Sequence, residues 1–207
     1  MKLALCICPQ WSIETPSFAI GSLKSHISNK NTIVKQFDLN IESSLYVKEI
    51  DKDLFYDWGN DKPWNSKRTF VNDVLPILKD FWDSRIEELS KYDVVCFTTY
   101  TSNIMATDYI ARYLKQKNPK IQIWYGGPYS WYSECGGLVE DEKYREFVDV
   151  ACGSNEGETI IADLVNSYEK NKNYENINGI YRWDKMTPSF PTVLPKGRSG
   201  RTPVFNG

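Results

Sequence analysis

The sequence predicts an α/β chain built on a five-stranded parallel sheet with helices on both faces. Three observations lead there. Short apolar runs alternate with longer segments whose apolar residues recur about every three to four positions, the pattern of doubly buried strands joined by helical crossovers. Several of the runs end in glycine, proline or hydroxylated residues, where a parallel sheet carries its ligand loops. The 207 residues, 41% hydrophobic and 25% charged, suffice for one domain with its own core.

Lys2 to Cys8 is the first apolar run, followed by a Pro-containing loop, Pro9 to Pro16. In Ser17 to Asn29, Ala19, Leu23 and Ile27 are spaced by four, so one helical face is apolar. Thr32 to Leu39 is the second strand. Ile41 to Ser66 is aromatic-rich without a clean period and is expected to form a lid or binding loop. Lys67 to Leu89 places Phe70, Val74, Leu78 and Phe81 on one helical face, with a kink or break expected at Pro76, which lacks a backbone N–H. Asp93 to Thr99 is the third strand, and Ala106, Ile110 and Leu114 mark a helix that stops at Asn118-Pro119. Ile121 to Tyr125 is the fourth strand, turning at Gly126-Gly127-Pro128. Val148 to Ala151 is the fifth. Gly153 to Glu158 then leads into a helix bearing Ile161, Leu164, Val165 and Tyr168, with Ser154 or Asn155 as cap. Gly179 to Trp183 is an extra strand. The architecture is flavodoxin- or Rossmann-like, over residues 1–185, with 186–207 expected to be a linker toward a downstream domain.

With 25 basic and 27 acidic residues, a net charge of -2 and no run of either sign, no positive field is available to gather nucleic acid or an anionic membrane. No stretch reaches the roughly 20 apolar residues of a membrane helix, and Leu3 to Cys8 is too short for a signal-peptide core. The five cysteines are read mostly as reduced packing residues, and the expected location is cytoplasmic.

In such a sheet the ligand lies beyond the carboxyl ends of the strands. The loops there lack a paired acid and base, a Gly-x-Gly-x-x-Gly run and a nucleotide P-loop. The single histidine, His26, falls within the first helix, without partners for a zinc site. The loops instead hold small and hydroxylated residues: Thr98, Thr99, Tyr100, Thr101 and Ser102 after the third strand, Gly126, Gly127 and Pro128 after the fourth, Gly153 after the fifth. They leave room for a flat or elongated ligand and offer hydrogen bonds to it, or else they simply terminate strands.

The segments Pro16 to Leu23, Phe37-Asp38-Leu39-Asn40, Asp93 to Asn103, Tyr125-Gly126-Gly127-Pro128 and Val148 to Thr159, in this order, carry a resemblance. Together they resemble the N-terminal cobalamin-binding domain of cobalamin-dependent, methyltransferase-like radical S-adenosylmethionine enzymes, over roughly Lys2 to Trp183. The resemblance implies a cobalamin cofactor, with Thr98 where related domains hold the detached dimethylbenzimidazole tail. Aligning Gly21 with the glycine of the Asp-x-His-x-x-Gly motif of methionine-synthase-like domains puts Phe18 at the histidine and Pro16 at the aspartate, so no lower axial histidine is expected. No Cys-x-x-x-Cys-x-x-Cys spacing exists here, so the resemblance implies an iron-sulfur cluster and S-adenosylmethionine in a downstream radical domain, the expected partner, the alternative being a short stand-alone carrier. A side chain at Gly126 or Gly127 is expected to block the tail, Gly127→Val leaving the fold intact. The aromatic segment Phe55 to Trp64, with Tyr129, Trp131 and Tyr132, is expected to cover the upper side of the site, the alternative being a local cluster over the long helix. Other readings of the same fold are a flavin- or nucleotide-binding domain and a ligand-free interaction module.

Overall fold

The computed structural model describes residues 1–14, 16–27, 31–51, 58, 60, 62–131, 138, 142–153 and 156–182. Six strands make one sheet: β1 Lys2–Ile7, β2 Ile33–Asp38, β3 Val94–Thr98, β4 Gln122–Gly126, β5 Val150–Cys152 and β6 Ile180–Arg182. Their order is β2-β1-β3-β4-β5-β6, with β1 to β5 parallel and β6 antiparallel at the edge. The expected five parallel strands are present and the extra strand joins them, making six. Residues 171–179 return to the carboxyl end of β5, where Gly153 N–H donates to the Gly179 carbonyl at 2.7 Å, so β6 descends.

The period of two in β1 sorts the core. Leu3, Leu5 and Ile7 face the side covered by α1 (Phe18–His26) and α5 (Gly157–Lys170). Ala4 and Cys6 face the side covered by α2 (Leu39–Ile50), α3 (Leu75–Leu89) and α4 (Ile104–Lys117). All five side chains are at most 1% exposed.

The structure corrects the reading of Ile41 to Ser66 as aperiodic, because its first part is α2, which starts directly after β2. Asp38 caps it by accepting from Ile41 N–H at 3.0 Å, and its other oxygen accepts from Ser17 N–H at 3.2 Å, tying the start of α1 to the end of β2. The period was masked because the buried face of α2 mixes Leu39 and Val47 with Asn40, Ser43 and Ser44, whereas Leu45 and Ile50 are exposed. Those polar groups are buried because they are bonded: Ser43 Oγ accepts from Trp82 Nε1 at 3.0 Å. The long helical run does change character near Pro76. Phe70–Val74 is a π-helical turn, and the regular helix starts at Leu75 with Pro76 in its first turn, where the missing N–H is harmless.

The aromatic segment is also corrected where it is described. Trp58 and Trp64 are 2% and 1% exposed and pack edge to face at 5.1 Å; Trp64 continues to Phe70 and Phe70 stacks on Trp82 at 5.9 Å. They close a cluster beside α3 and are not free to cover a ligand. Phe55, Tyr132, Cys135, Ser154, Asn155, the Trp131 side chain and the segment 186–207 lie outside the described residues. The described cysteines Cys6, Cys8, Cys96 and Cys152 are reduced and buried. No helix among the described residues is long and apolar enough to cross a membrane, and none of their His, Cys, Asp and Glu side chains group to hold a metal ion.

Candidate functional site

The strand order reverses direction between β1 and β3, so the crevice of this sheet opens between the loops that follow them. Those loops are fastened together. Ser102 Oγ donates to the Gln10 carbonyl at 2.9 Å, and the Trp11 and Tyr100 rings stack at 4.5 Å. Asn40, 1% exposed, organises the first loop from below: its amide donates to the Trp11 and Ser12 carbonyls, and its oxygen accepts from Trp11 N–H at 3.0 Å and Trp58 Nε1 at 3.2 Å. Asn103, fully buried, folds the second loop by accepting from Tyr100 N–H and donating to the Thr98 carbonyl.

Beneath this rim lies a cavity of about 310 Å³ between the carboxyl half of the sheet and helices α1 and α5. Leu5, Cys96, Trp124 and Cys152 form its floor; Ala19, Ile20 and Leu23 of α1 and Ile160, Ile161 and Leu164 of α5 form its walls. Thr98, Tyr100, Gly126, Gly127 and Pro128 form the mouth, beside Glu158, which accepts from Ser22 Oγ at 2.9 Å and so links the two helices. The lining is mostly apolar, with a few polar groups that an elongated ligand could meet. Trp124 is 2% exposed, yet its indole N–H has no hydrogen-bond partner among the described residues. A buried donor left unpaired costs about 1–3 kcal/mol, so an acceptor on a ligand would be favoured there. Burial pushes the Tyr100 hydroxyl and the Cys96 thiol up in pKa, so both stay protonated at neutral pH.

Five of the ten residues singled out from the sequence therefore meet at one cavity mouth: Thr98, Tyr100, Gly126, Gly127 and Pro128. The other five do not line it. Thr99 is fully buried and buckles β3 to β4, donating to the Gly126 carbonyl at 2.8 Å with Ser130 Oγ at 3.0 Å. Ser102 holds Gln10 as described, and Thr101 is exposed on the turn before α4. Gly153 faces the Tyr181 ring, which a Cβ there would meet at 2.2 Å. Phe18 is the first residue of α1 and 86% exposed, away from the cavity lining. His26 ends the same helix, bonded to the Ser22 carbonyl.

The two glycines differ in kind. Gly127 has φ 99°, and a Cβ on it would lie 2.6 Å from the Thr99 carbonyl oxygen and 2.9 Å from its nitrogen. A Gly127→Val change would therefore disturb the backbone itself, contrary to the expectation of an intact fold. Gly126 would meet only the Cys152 Cβ at an ordinary 3.8 Å. Sequence reasoning missed the α1 and α5 walls, Trp124 and Asn40. The apolar period did mark Leu23 and Leu164, but nothing in the sequence says that the two helices stand apart enough to leave a cavity.

No protein family and no curated protein matches the sequence. Among solved structures, the chain is similar to a radical S-adenosylmethionine methyltransferase, TsrM, from Kitasatospora setae, with tryptophan substrate and an S-adenosylmethionine analogue bound. The TM-score is 0.53 at 12% identity, covering 94% of this chain and 30% of that one. That likeness establishes the fold. The chain spans less than a third of the methyltransferase's length, and the part aligned runs through nearly all the elements described above.

Proposed function

We propose that this chain binds cobalamin, with the nucleotide tail in the α1/α5 cavity and the corrin ring over the carboxyl ends of β1, β3 and β4, and presents it to a radical S-adenosylmethionine domain for methyl transfer. The observation that carries the reading is the cavity itself: about 310 Å³ of room beside the glycine pair, apolar walls, and a buried Trp124 N–H without a partner among the described residues. The fold shared with a radical S-adenosylmethionine methyltransferase supports the same class. The residues present fit the group. Thr98 and Trp124 would hydrogen-bond the tail, Ile20, Leu23, Ile160 and Ile161 would strip water from its base, and Gly126 would let it pass close to the β4 backbone. Once bound, cobalamin supplies a cobalt centre able to carry a methyl group. The chain contributes position and dryness, with the stacked Trp11–Tyr100 pair bordering the ring. No imidazole stands at the mouth of the cavity, because His26 is held at the far end of α1 and Phe18 faces solvent. The iron-sulfur cluster and S-adenosylmethionine would be supplied by the downstream domain, and the setting would be the cytosol.

Absorbance after incubation with hydroxocobalamin and, separately, with flavin mononucleotide tests this. A stoichiometric corrinoid complex, whose cob(II)alamin form lacks protein nitrogen hyperfine splitting, is expected. A flavin complex without a corrinoid one, or a nitrogen signal from the protein, would overturn the reading.

A further inference from the structure

At the opposite edge of the sheet a second cavity, of about 330 Å³, opens at the amino ends of β4 and β5 and the last residue of β6. Gln122, Arg145, Asp149, Lys172, Tyr174 and Arg182 line it. Three of these are cations. The one carboxylate among the described lining residues is already engaged, since Asp149 accepts from Ile123 N–H at 2.7 Å and pairs with Lys115 at 2.8 Å. Glu142 reaches Arg145 only at 4.0 Å and is itself 90% exposed. Arg182 lies over the Tyr174 ring at 5.3 Å and Lys172 over Tyr168 at 4.5 Å, so both cations are held beside the cavity by aromatic faces.

Tyr174 is the independent sign that something binds here. It is 6% exposed, packs edge to face on Trp124 at 6.1 Å, and its hydroxyl has no hydrogen-bond partner among the described residues. Burial raises its pKa, so the hydroxyl is a donor at any physiological pH. Lys172 adds a second oddity. It follows the C-cap of α5 with φ 56°, donating its N–H to the Ser167 carbonyl, at a position where glycine avoids a cost of about 1 kcal/mol. What glycine would lack there is the ammonium.

Among the described residues that line the cavity, Arg145, Lys172, Tyr174 and Gln122 offer a guanidinium, an ammonium, a phenol and an amide as donors, and the one carboxylate, Asp149, is already paired. We infer that this cavity binds an oxyanion of the phosphate class, as free phosphate or as the phosphoryl group of a small phosphomonoester. The site is separate from the α1/α5 cavity, and it stands whether or not a corrinoid binds there.

Isothermal titration of the 207-residue chain at low, constant ionic strength, with inorganic phosphate in one arm and glycerol 3-phosphate in the other, tests the inference. Saturation by at least one probe with a dissociation constant below about 1 mM is expected. Tighter binding of glycerol 3-phosphate assigns the site to a phosphorylated molecule, and equal binding assigns it to phosphate itself. Tyr174→Phe should weaken binding about fivefold. Lys172→Gly should weaken it about tenfold while leaving the melting temperature equal or higher, because glycine accepts the left-handed backbone without strain. Failure of both probes to bind, or unchanged affinity in both variants, would overturn the proposal.

Discussion

The two faces of the sheet use their bulk in opposite ways. Toward α2, α3 and α4 the space is filled by rings: Trp58, Trp64, Phe70 and Trp82 in one chain of contacts, Tyr125, Tyr144 and Phe147 in another. Toward α1 and α5 small residues, Ala19, Gly126, Gly157, Cys96 and Cys152, leave a cavity of about 310 Å³ open beneath the strand ends. The comparison teaches that Trp58 and Trp64, which in the sequence point to a ligand surface, close the filled face, whereas the binding volume lies between aliphatic walls over a floor that includes Trp124. Substitutions on the filled face should therefore change stability without selectivity, and substitutions on the open face should change binding with little effect on stability.

The largest effect is expected from Trp82→Ala. It removes a fully buried ring stacked on Phe70 and orphans Ser43, so urea denaturation should show a loss of about 3–5 kcal/mol. A loss under about 1 kcal/mol would mean that the filled face is loosely packed.

Asp108 sharpens the contrast through pH. Its carboxyl is buried against Tyr125, whose hydroxyl donates to it at 3.2 Å, and burial raises its pKa to about 7 despite the opposing charges of Lys143 and Arg112. The folded state thus holds a proton that the unfolded chain releases near pH 4, so the contribution of Asp108 to stability is complete below about pH 4 and is lost as pH rises to about 7. Asp108→Asn should flatten that slope in thermal melts taken across this range. An unchanged slope would assign the dependence to another group.

Next in size are the two glycines, taken as a pair. Gly127→Ala meets both the φ of 99° and the Thr99 backbone, and should cost about 1–3 kcal/mol in stability. Gly126→Val should keep the melting temperature within a few degrees and weaken cobalamin about tenfold, or about 1.4 kcal/mol, by filling the mouth. Equal cobalamin affinity for Gly126→Val and the natural chain would remove the tail from this cavity.

The smallest change is Thr98→Val. It keeps the shape of the mouth and deletes one hydroxyl, so a several-fold loss of cobalamin affinity, about 1 kcal/mol, is expected by titration. A drop in melting temperature with unchanged affinity would make Thr98 a structural residue only.

Much of this was legible in the chain. The alternation of Leu3, Leu5 and Ile7 with Ala4 and Cys6, the spacing of Ala106, Ile110 and Leu114, and the Gly126-Gly127 turn follow from local rules of period and backbone freedom, which operate over a few residues and need no partner. Helix α2 was hidden for a reason of the same physics in reverse: Asn40 and Ser43 count as polar in any local pattern, and only the Trp58 and Trp82 indoles, 18 and 39 residues away, make their burial favourable. The candidate site divides along that line. Sequence alone determined which residues stand at the carboxyl ends of the strands, because strand ends are local events. Only the tertiary structure decided that Thr98 and Tyr100 face a cavity while Thr99 and Ser102 fasten loops, that Gly153 makes room for Tyr181, and that Trp124 and Tyr174 each keep a buried donor unpaired among the described residues. Those outcomes depend on which distant side chain reaches each polar atom first, and that is fixed by how the helices seat on the sheet.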